Sequence, residues 1–275
     1  PGDYVLPGDV SSQFVSALLL ALPLLPGDST LTLTSAPESA PYIAMTEDVL
    51  AAAGISLYRT GSRYRIPGGQ RYRLSSHLTV EGDWSAAAFF LCAGAMSREG
   101  IAVDGLSLPT RQGDSALLPL LRQMGAVVNL SSGCITVRKG RLRATDIDAR
   151  PIPDLIPPLS VLAAAAEGGS HIQNARRLRY KESDRLQGIA ELLNSLGGCL
   201  TVDGDGLLIH GVSHLQGGTV DPMGDHRLAM SAALAALSAD APVTVRDADC
   251  VSKSYPAFWA DFQSLKGEAP CPALL

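Results

Sequence analysis

Apolar residues recur along the chain at helical spacing, and each helical stretch is followed by short segments in which apolar and polar residues alternate. Residues 186–196 place leucine and isoleucine on one helix face, and Gly197 and Gly198 supply the stop. Residues 200–209 then alternate around an Asp-Gly-Asp-Gly turn, which is the pattern of a β-hairpin. The pattern predicts a mixed α/β (α+β) protein whose helices pack against sheet.

The same order of elements recurs about every 71 residues. An aspartate opens an alanine-rich helix at Asp9, Asp83, Asp154 and Asp225, which are 74, 71 and 71 positions apart. Each copy reads helix, helix, hairpin, with further short strands between. A period this long exceeds that of common solenoids and favours copies packed around a shared helical core. Glycines end the second helices, at Gly54, Gly125, Gly197 and Gly267.

Aspartate at a helix start is usually an N-cap, because its carboxylate accepts hydrogen bonds from first-turn N–H groups. We therefore expect Asp9 and Asp83 to be caps. Asp154 differs, because several prolines surround it and fix the loop that enters its helix. Asp225 differs as well, since His226 and Arg227 follow it directly. If the copies converge their helix starts on one cleft, the helix dipoles favour an anionic ligand there.

Residues 176–185 concentrate charge at the start of a helix, with the sequence Arg-Arg-Leu-Arg-Tyr-Lys-Glu-Ser-Asp-Arg. The pattern predicts that Lys181, Glu182, Asp184 and Arg185 crowd the first turn. Acids suit a helix N-terminus, whereas cations oppose its dipole and indicate a bound phosphate or carboxylate. An exposed, salt-bridged helix start explains the same residues equally well.

The composition narrows the classes of function. The chain has 275 residues, 46% of them hydrophobic and 18% charged, which is typical of a soluble globular protein of one large or two ordinary domains. A net charge of -5 without a lysine-rich run argues against nucleic-acid binding. Positive charge is therefore a local feature of this chain.

Cysteine usage and hydropathy indicate a cytoplasmic protein. The five cysteines are scattered without Cys-x-x-Cys spacing, so we expect reduced thiols. The apolar run at 14–25 contains Pro23 and is too short to span a bilayer. No targeting segment is visible, and neither membrane attachment, a metal nor a cofactor is expected.

Two long motifs, residues 179–186 (Arg-Tyr-Lys-Glu-Ser-Asp-Arg-Leu) and residues 225–230 (Asp-His-Arg-Leu-Ala-Met), resemble the EPSP synthase family of enolpyruvyl transferases. The resemblance implies a two-domain fold, an inverse α/β barrel of repeated βαβαββ units. It covers the final two thirds of such enzymes. Further landmarks follow in order at Gly8–Gln13, Ser39–Tyr42, Gly82–Asp83, Gln112–Asp114, Ile152–Asp154 and Lys253–Pro256.

The resemblance also implies a domain division and an amino-terminal truncation. It makes residues 1–112 a partial upper domain and residues 113–275 most of the lower one. The family's Lys-Ser-x-Ser-x-x-x-Arg motif and its Asn-Ala-Gly-Thr loop would precede Pro1. We therefore expect the isolated chain to be inactive.

The family's reaction joins the enolpyruvyl group of phosphoenolpyruvate to the 5-hydroxyl of shikimate 3-phosphate, with release of phosphate, in the pathway to chorismate and the aromatic amino acids. Such a transfer needs a base for the hydroxyl and an acid for the methylene carbon. By resemblance Asp154 is the base, Glu182 is the acid and Lys181 assists them. The resemblance places shikimate 3-phosphate at Ser11, Ser12, Gln13, Ser39, Tyr42, Asp154, Arg177 and Lys181, and phosphoenolpyruvate at Gln13, Arg185, Asp225, Arg227 and Lys253.

Several of these expectations have an alternative interpretation. Ser11 and Ser12 have a second interpretation as helix caps, and His226 has one as an orienting neighbour. Transfer to UDP-N-acetylglucosamine is the nearest alternative reaction, and a non-catalytic fragment or a subunit that needs a complementary chain is the alternative of another class. The resemblance further implies a monomer that glyphosate inhibits.

Overall fold

The computed structural model describes residues 1–37, 39–75, 77–131 and 133–265. Gly267 and Cys271 lie outside the described residues. Contacts divide the chain into two compact units, which are Pro1–Glu81 with Pro109–Gly113, and Gly82–Leu108 with Asp114–Leu275.

The first unit is one complete βαβαββ copy. Strands β1 and β2 run parallel, β4 pairs antiparallel with both β2 and β3, and the sheet order is β1-β2-β4-β3. One face of the sheet, with Leu31 beside Tyr64, forms a buried core with Val15 and Leu19. The elements are β1 (Asp3–Leu6), α1 (Ser12–Ala21), β2 (Ser29–Leu33), α2 (Ala40–Ala52), β3 (Tyr58–Thr60) and β4 (Arg63–Ile66).

The second unit contains three further copies. The predicted repeat, its two helices per copy and its hairpins are confirmed. The second copy comprises α3 (Trp84–Met96), β5 (Ile101–Asp104), α4 (Leu117–Gln123), β6 (Val127–Ser131) and β7 (Cys134–Arg138). The third comprises β8 (Ile147–Asp148), α5 (Ile156–Ala164), β9 (Gly169–Gln173), α6 (Arg185–Ser195), β10 (Cys199–Asp203) and β11 (Gly206–His210). The fourth comprises β12 (Gly218–Val220), α7 (His226–Ala235), β13 (Val243–Val245) and α8 (Phe258–Ser264).

The third copy repeats the strand topology of the first. Its sheet order is β10-β11-β9-β8, with β8 and β9 parallel and the remaining pairs antiparallel. Among the described residues, the sheets of the second and fourth copies, ordered β5-β7-β6 and β12-β13, contain part of this pattern. The mixed α/β architecture predicted from the sequence is confirmed.

The first helices of the three copies, α3, α5 and α7, pack against one another in the core of the second unit. Alanine and other small side chains allow this close approach, and all nine residues of α5 are buried. The repeat therefore places Asp83, Asp154 and Asp225 at the starts of neighbouring helices. Among the described helices, none has both the length and the apolar composition required to cross a membrane.

The caps agree with expectation at Asp83 and differ at Asp9. Asp83 accepts hydrogen bonds from the N–H groups of Ser85 and Ala86, at 2.8 and 3.2 Å. Helix α1 is instead capped by Ser11, whose hydroxyl accepts from the N–H of Gln13 at 3.2 Å. Asp9 lies two residues too early, and its carboxylate accepts a hydrogen bond from another loop, so the expectation of a cap at Asp9 is wrong.

The domain division drawn from the sequence assigned residues 82–108 to the first domain, whereas in the structure they belong to the second unit. They pack in the second unit, because α3 supplies one of its central helices. Residues 109–113 return to the first unit before the chain enters the second for its remaining length.

Candidate active site

Arg185 is the centre of the candidate site in the second unit. It is the first residue of α6, and its side chain is only 1% exposed. Its Nε lies 2.7 Å from Oδ2 of Asp225, its Nη1 lies 2.9 Å from Oδ1 of Asp154, and its Nη2 lies 2.5 Å from Oε2 of Glu182. One guanidinium therefore joins three carboxylates that lie on three different segments.

Three further cations surround this group. Lys181 Nζ and Arg227 Nε lie 3.4 and 3.5 Å from Oδ1 of Asp154. Lys253, whose side chain is 56% exposed, places its Nζ 2.7 Å from Oε1 of Glu182. We call these seven residues the Arg185 cluster; they are Asp154, Lys181, Glu182, Arg185, Asp225, Arg227 and Lys253.

The charged segment does not form the first turn of a helix as the sequence pattern predicted. Helix α6 begins at Arg185, and Asp184 caps it by accepting a hydrogen bond from the N–H of Gln187 at 3.2 Å. Lys181 and Glu182 lie in the loop before the cap, after a 3₁₀ helix at Arg176–Tyr180 that contains the half-buried Arg177. The loop leaves both side chains outside the helix, where they contact residues from distant parts of the chain.

The cluster holds both candidate proton-transfer groups in the ionised state. Burial alone would raise the pKa of Asp154, but Arg227, Lys181 and Arg185 outweigh it and hold that pKa well below its ordinary range. Burial acts in the same way on Glu182, and the hydrogen bond from Lys253 with the charge of Arg185 lowers its pKa to about 2. Without a ligand, both side chains are carboxylates at neutral pH.

The depressed pKa of Asp154 predicts how stability depends on pH. The pKa is lower in the folded than in the unfolded state, so ionised Asp154 stabilises the fold above its ordinary value of 3.8. This stabilisation is lost as the pH falls through the folded-state value. We expect urea unfolding at a series of pH values to show a gap in unfolding free energy between the wild type and Asp154→Asn that shrinks below about pH 4. A gap that stays constant down to pH 2 contradicts the ion pairing described here.

The first unit places the residues expected to bind shikimate 3-phosphate at one edge of its sheet. Ser11–Gln13 follow β1 and Ser39–Tyr42 follow β2, and these strands are parallel neighbours, so both segments begin at the same edge. Ser12 and Ser39 are buried, whereas Gln13 is exposed and Tyr42 is half-buried. Ser39 has a φ of 53°, which residues other than glycine seldom adopt.

Hydrogen bonds tie the two loops of this edge together. The Ser35 hydroxyl accepts from the N–H of Gly8 at 2.9 Å and donates to the carboxylate of Asp9 at 2.7 Å. A Cβ at position 8 would lie 2.5 Å from the carbonyl oxygen of Ser35, so the loops approach this closely only because residue 8 is glycine. These hydrogen bonds and this close backbone approach therefore hold the two loops together.

The sequence model of one family, EPSP synthase (3-phosphoshikimate 1-carboxyvinyltransferase), matches residues 3–262. The chain belongs to the EPSP synthase family. A 3-phosphoshikimate 1-carboxyvinyltransferase of Clostridium kluyveri is 43% identical over 270 residues, which are 97% of this chain and 62% of the relative. One of Methanocorpusculum labreanum is 41% identical over 264 residues, which are 96% of this chain and 62% of the relative. A solved EPSP synthase of Acinetobacter baumannii superposes with a TM-score of 0.78 at 28% identity and covers 96% of this chain and 62% of its own.

Membership of the EPSP synthase family agrees with the resemblance drawn from the motifs and with the expected fold. The chain spans about 62% of the length of the curated relatives it matches. The family model and these relatives name the shikimate enzyme, not the enzyme that acts on UDP-N-acetylglucosamine.

The residues around Arg185 also include a group of side chains that could bind a metal cation. Oxygen atoms of Glu182 and Asp225 and a ring nitrogen of His226 lie within 4.8 Å of one another. Both carboxylates, however, already bind the guanidinium of Arg185. Burial and then the charge of Arg227 lower the pKa of His226, so its imidazole is neutral at pH 7. Within the described part of the chain its Nδ1 has no hydrogen-bond partner and lies 3.9 Å from Asp225.

Sequence reasoning assigned no role to two residues that lie within the quoted motifs. The Ser183 hydroxyl donates a hydrogen bond to Oδ2 of Asp225 at 3.1 Å. Asp114 is buried near the start of α4 and receives a hydrogen bond from Ser85. The repeat itself contained a signal for Asp114, since it lies 71 positions before Arg185.

Proposed function

We propose that this protein transfers the enolpyruvyl group of phosphoenolpyruvate to the 5-hydroxyl of shikimate 3-phosphate and releases phosphate. The observation that carries the proposal is the Arg185 cluster, in which three carboxylates share the guanidinium of Arg185 and three further cations lie beside them. Phosphoenolpyruvate carries a carboxylate and a phosphate, and arginine and lysine are the side chains that bind such groups.

Asp154 is the proposed base. It is ionised, lies at the start of the central helix of the third copy, and has Lys181 beside it. The cations around Asp154 make it a weak base. They also stabilise the negative charge that develops on the attacking oxygen and on the leaving phosphate. The hydroxyl proton passes to Asp154 as the oxygen attacks the enolpyruvyl carbon.

Glu182 is the proposed acid, and binding of phosphoenolpyruvate prepares it. The ligand's anionic groups compete with Glu182 for Lys253 and Arg185. Once these cations hold the ligand, Glu182 loses the two contacts that depress its pKa, and a proton on its carboxyl becomes favourable. Glu182 then delivers that proton to the methylene carbon, which becomes a methyl group as the oxygen adds to the neighbouring carbon. When the bond to phosphate breaks, a methyl proton returns to Glu182 and the carbon–carbon double bond of the enolpyruvyl group forms again, while the proton held by Asp154 leaves with the phosphate.

The first unit offers a site for the phosphate of shikimate 3-phosphate. Ser11, Ser12 and Gln13 begin α1, where free N–H groups and the helix dipole favour an anion. Ser39 and Tyr42 begin α2 at the same sheet edge and are proposed as further contacts to this substrate. We also propose that the protein acts as a cytoplasmic monomer and that glyphosate, an anion with a phosphonate and a carboxylate, competes for the Arg185 cluster.

An assay of product formation tests the proposal. The 275-residue chain is combined with the part of the Clostridium kluyveri relative that it does not match, and phosphate release is followed with each acceptor. We expect transfer to shikimate 3-phosphate by the combined chains and none to UDP-N-acetylglucosamine. Transfer to the nucleotide sugar, or no transfer to either acceptor, contradicts the proposed function.

Calorimetry on the 275-residue chain tests its binding sites separately. Shikimate 3-phosphate is titrated into the wild type, Ser11→Ala and the surface control Ser264→Ala. We expect binding to weaken in Ser11→Ala by about tenfold, the effect of losing one hydrogen bond to a charged group, and to be unchanged in the control. Equal affinities in all three proteins contradict the phosphate site at α1.

A further inference from the structure

Asp114 occupies an equivalent position to Arg185 in the neighbouring copy. The two residues are 71 positions apart, the same offset as that between Asp154 and Asp225. Arg185 is the first residue of α6, whereas Asp114 lies in the 3₁₀ turn Gly113–Ala116 that leads directly into α4. A buried cation thus begins the second helix of the third copy, and a buried acid immediately precedes the second helix of the second copy.

Asp114 is almost fully enclosed, with 3% of its surface exposed. Its Oδ2 receives a hydrogen bond from the hydroxyl of Ser85, which is itself buried in the first turn of α3. Within the described residues, no salt bridge to a lysine, arginine or histidine includes Asp114. A buried acid without an ion-pair partner is costly to ionise, so its placement beside the candidate site calls for an explanation.

Helix α3, which carries Ser85, packs against both α4 and the segment Pro153–Leu155 that contains Asp154, so the hydrogen bond from Ser85 holds Asp114 close to the candidate site. Burial raises the pKa of Asp114, the Ser85 hydrogen bond opposes this rise, and Asp154 adds to it. Arg227 of α7 favours ionised Asp114, whereas Asp83 at the start of α3 disfavours it. Arg227 also lies 3.5 Å from Asp154, so the two acids draw on the charge of the same arginine.

We propose that Asp114 is a positioning residue for the transfer: its buried carboxyl, held by Ser85, shares the charge of Arg227 with Asp154 and so sets how strongly Asp154 attracts the hydroxyl proton. This role rests on the proposed function. When Asp114 is ionised, it offsets part of the positive charge around Asp154 and makes Asp154 a stronger base. When Asp114 is protonated, Arg227 acts on Asp154 without this opposition, and Asp154 becomes a weaker base.

Carboxyl ¹³C NMR on the 275-residue chain tests the coupling directly. The Asp114 signal is assigned by its loss in Asp114→Asn and then titrated in the wild type, in Asp154→Asn and in the surface control Asp240→Asn. Because coupling between two charges is reciprocal, removal of the Asp154 charge is expected to lower the pKa of Asp114, while Asp240→Asn leaves it unchanged. An Asp114 that titrates identically in all three proteins overturns the proposal.

The pH profile of transfer, measured with the combined chains, tests the consequence for the reaction. Wild-type kcat is expected to fall as the pH drops through the Asp114 pKa. Asp114→Asn is expected to lack this step in the pH profile. Its kcat at neutral pH is expected to be lower by up to about tenfold, because a base weakened by one pKa unit loses a factor of ten in driving force for proton transfer. Its KM for phosphoenolpyruvate is expected to change little. A purely structural role would lower the stability of Asp114→Asn without removing the step. No transfer by the wild type overturns the proposed function together with this role, whereas transfer with an unchanged profile in Asp114→Asn overturns the role alone.

Discussion

Replacement of Arg185 by methionine is expected to lower the free energy of unfolding by about 3–5 kcal/mol, the usual cost of removing one partner from a buried ion pair. Methionine fills much of the same space, so the loss comes from charge and not from a cavity. Asp225 is fully buried and would lose its guanidinium, as would Asp154 and Glu182. Urea unfolding at neutral pH measures the change.

Two companion variants separate this effect from a general effect of removing an arginine. Arg179 pairs with Asp184 at 3.0 Å on a more exposed surface, so Arg179→Met is expected to cost only about 0–1 kcal/mol. Asp225→Asn added to Arg185→Met removes the unpaired buried charge and is expected to recover part of the loss. A loss below about 1 kcal/mol in Arg185→Met, or no recovery in the double variant, is the result that contradicts this description.

Glu182→Gln is expected to reduce turnover by about 10²–10⁴, the range that general acid catalysis contributes. Glutamine keeps the size of the side chain but has no carboxyl proton to deliver. It also no longer competes for Lys253 and Arg185 as an anion, so phosphoenolpyruvate is expected to bind at least as tightly as in the wild type. Single-turnover kinetics with the combined chains, together with calorimetry, separate the two effects.

Glu191→Gln is the matched control for Glu182→Gln. Glu191 lies on the exposed side of α6, where its carboxylate accepts a hydrogen bond from Gln187 at 2.8 Å. The control should retain wild-type turnover. Unchanged turnover in Glu182→Gln would remove Glu182 from the role of acid, and weaker binding with intact turnover would assign it to ligand contact instead.

Much of the fold follows from the sequence because its signals are local and repeated four times. The face of α6 follows from apolar spacing, its end from Gly197, and the hairpin β10–β11 from alternation around two glycines. The offset of 71 residues then relates one copy to the next. Each of these predictions depends on contacts between residues close in the chain.

The errors occurred where distant contacts compete with local ones. Asp9 has the composition of a cap but is bound by Ser35, which is 26 positions away. Lys181 and Glu182 have the spacing of a first helical turn, yet they pair across the fold with Asp154 and Lys253. Local spacing contains no information about such pairs.

The candidate site was predictable in its members and not in its arrangement. The motifs identified the residues of the Arg185 cluster, but nothing in them indicated that Arg185 lies beneath three carboxylates instead of facing solvent. Asp114 was likewise visible within a motif, and its burial against Ser85 is a property of packing alone. Such arrangements depend on how helices from different copies meet.

The carboxylates of the Arg185 cluster also compete with any incoming anion for the cations of the cluster. Bare arginines and lysines would bind chloride or any other abundant monoanion, whereas here an anion must first replace a carboxylate that the chain holds at high local concentration. A singly charged ion gains too little from one cation to do so. A molecule with two anionic groups at a fixed separation replaces Glu182 at Arg185 and at Lys253 in one event. We therefore expect the internal acids to make the site selective for divalent organic anions over the monovalent anions of the surrounding salt.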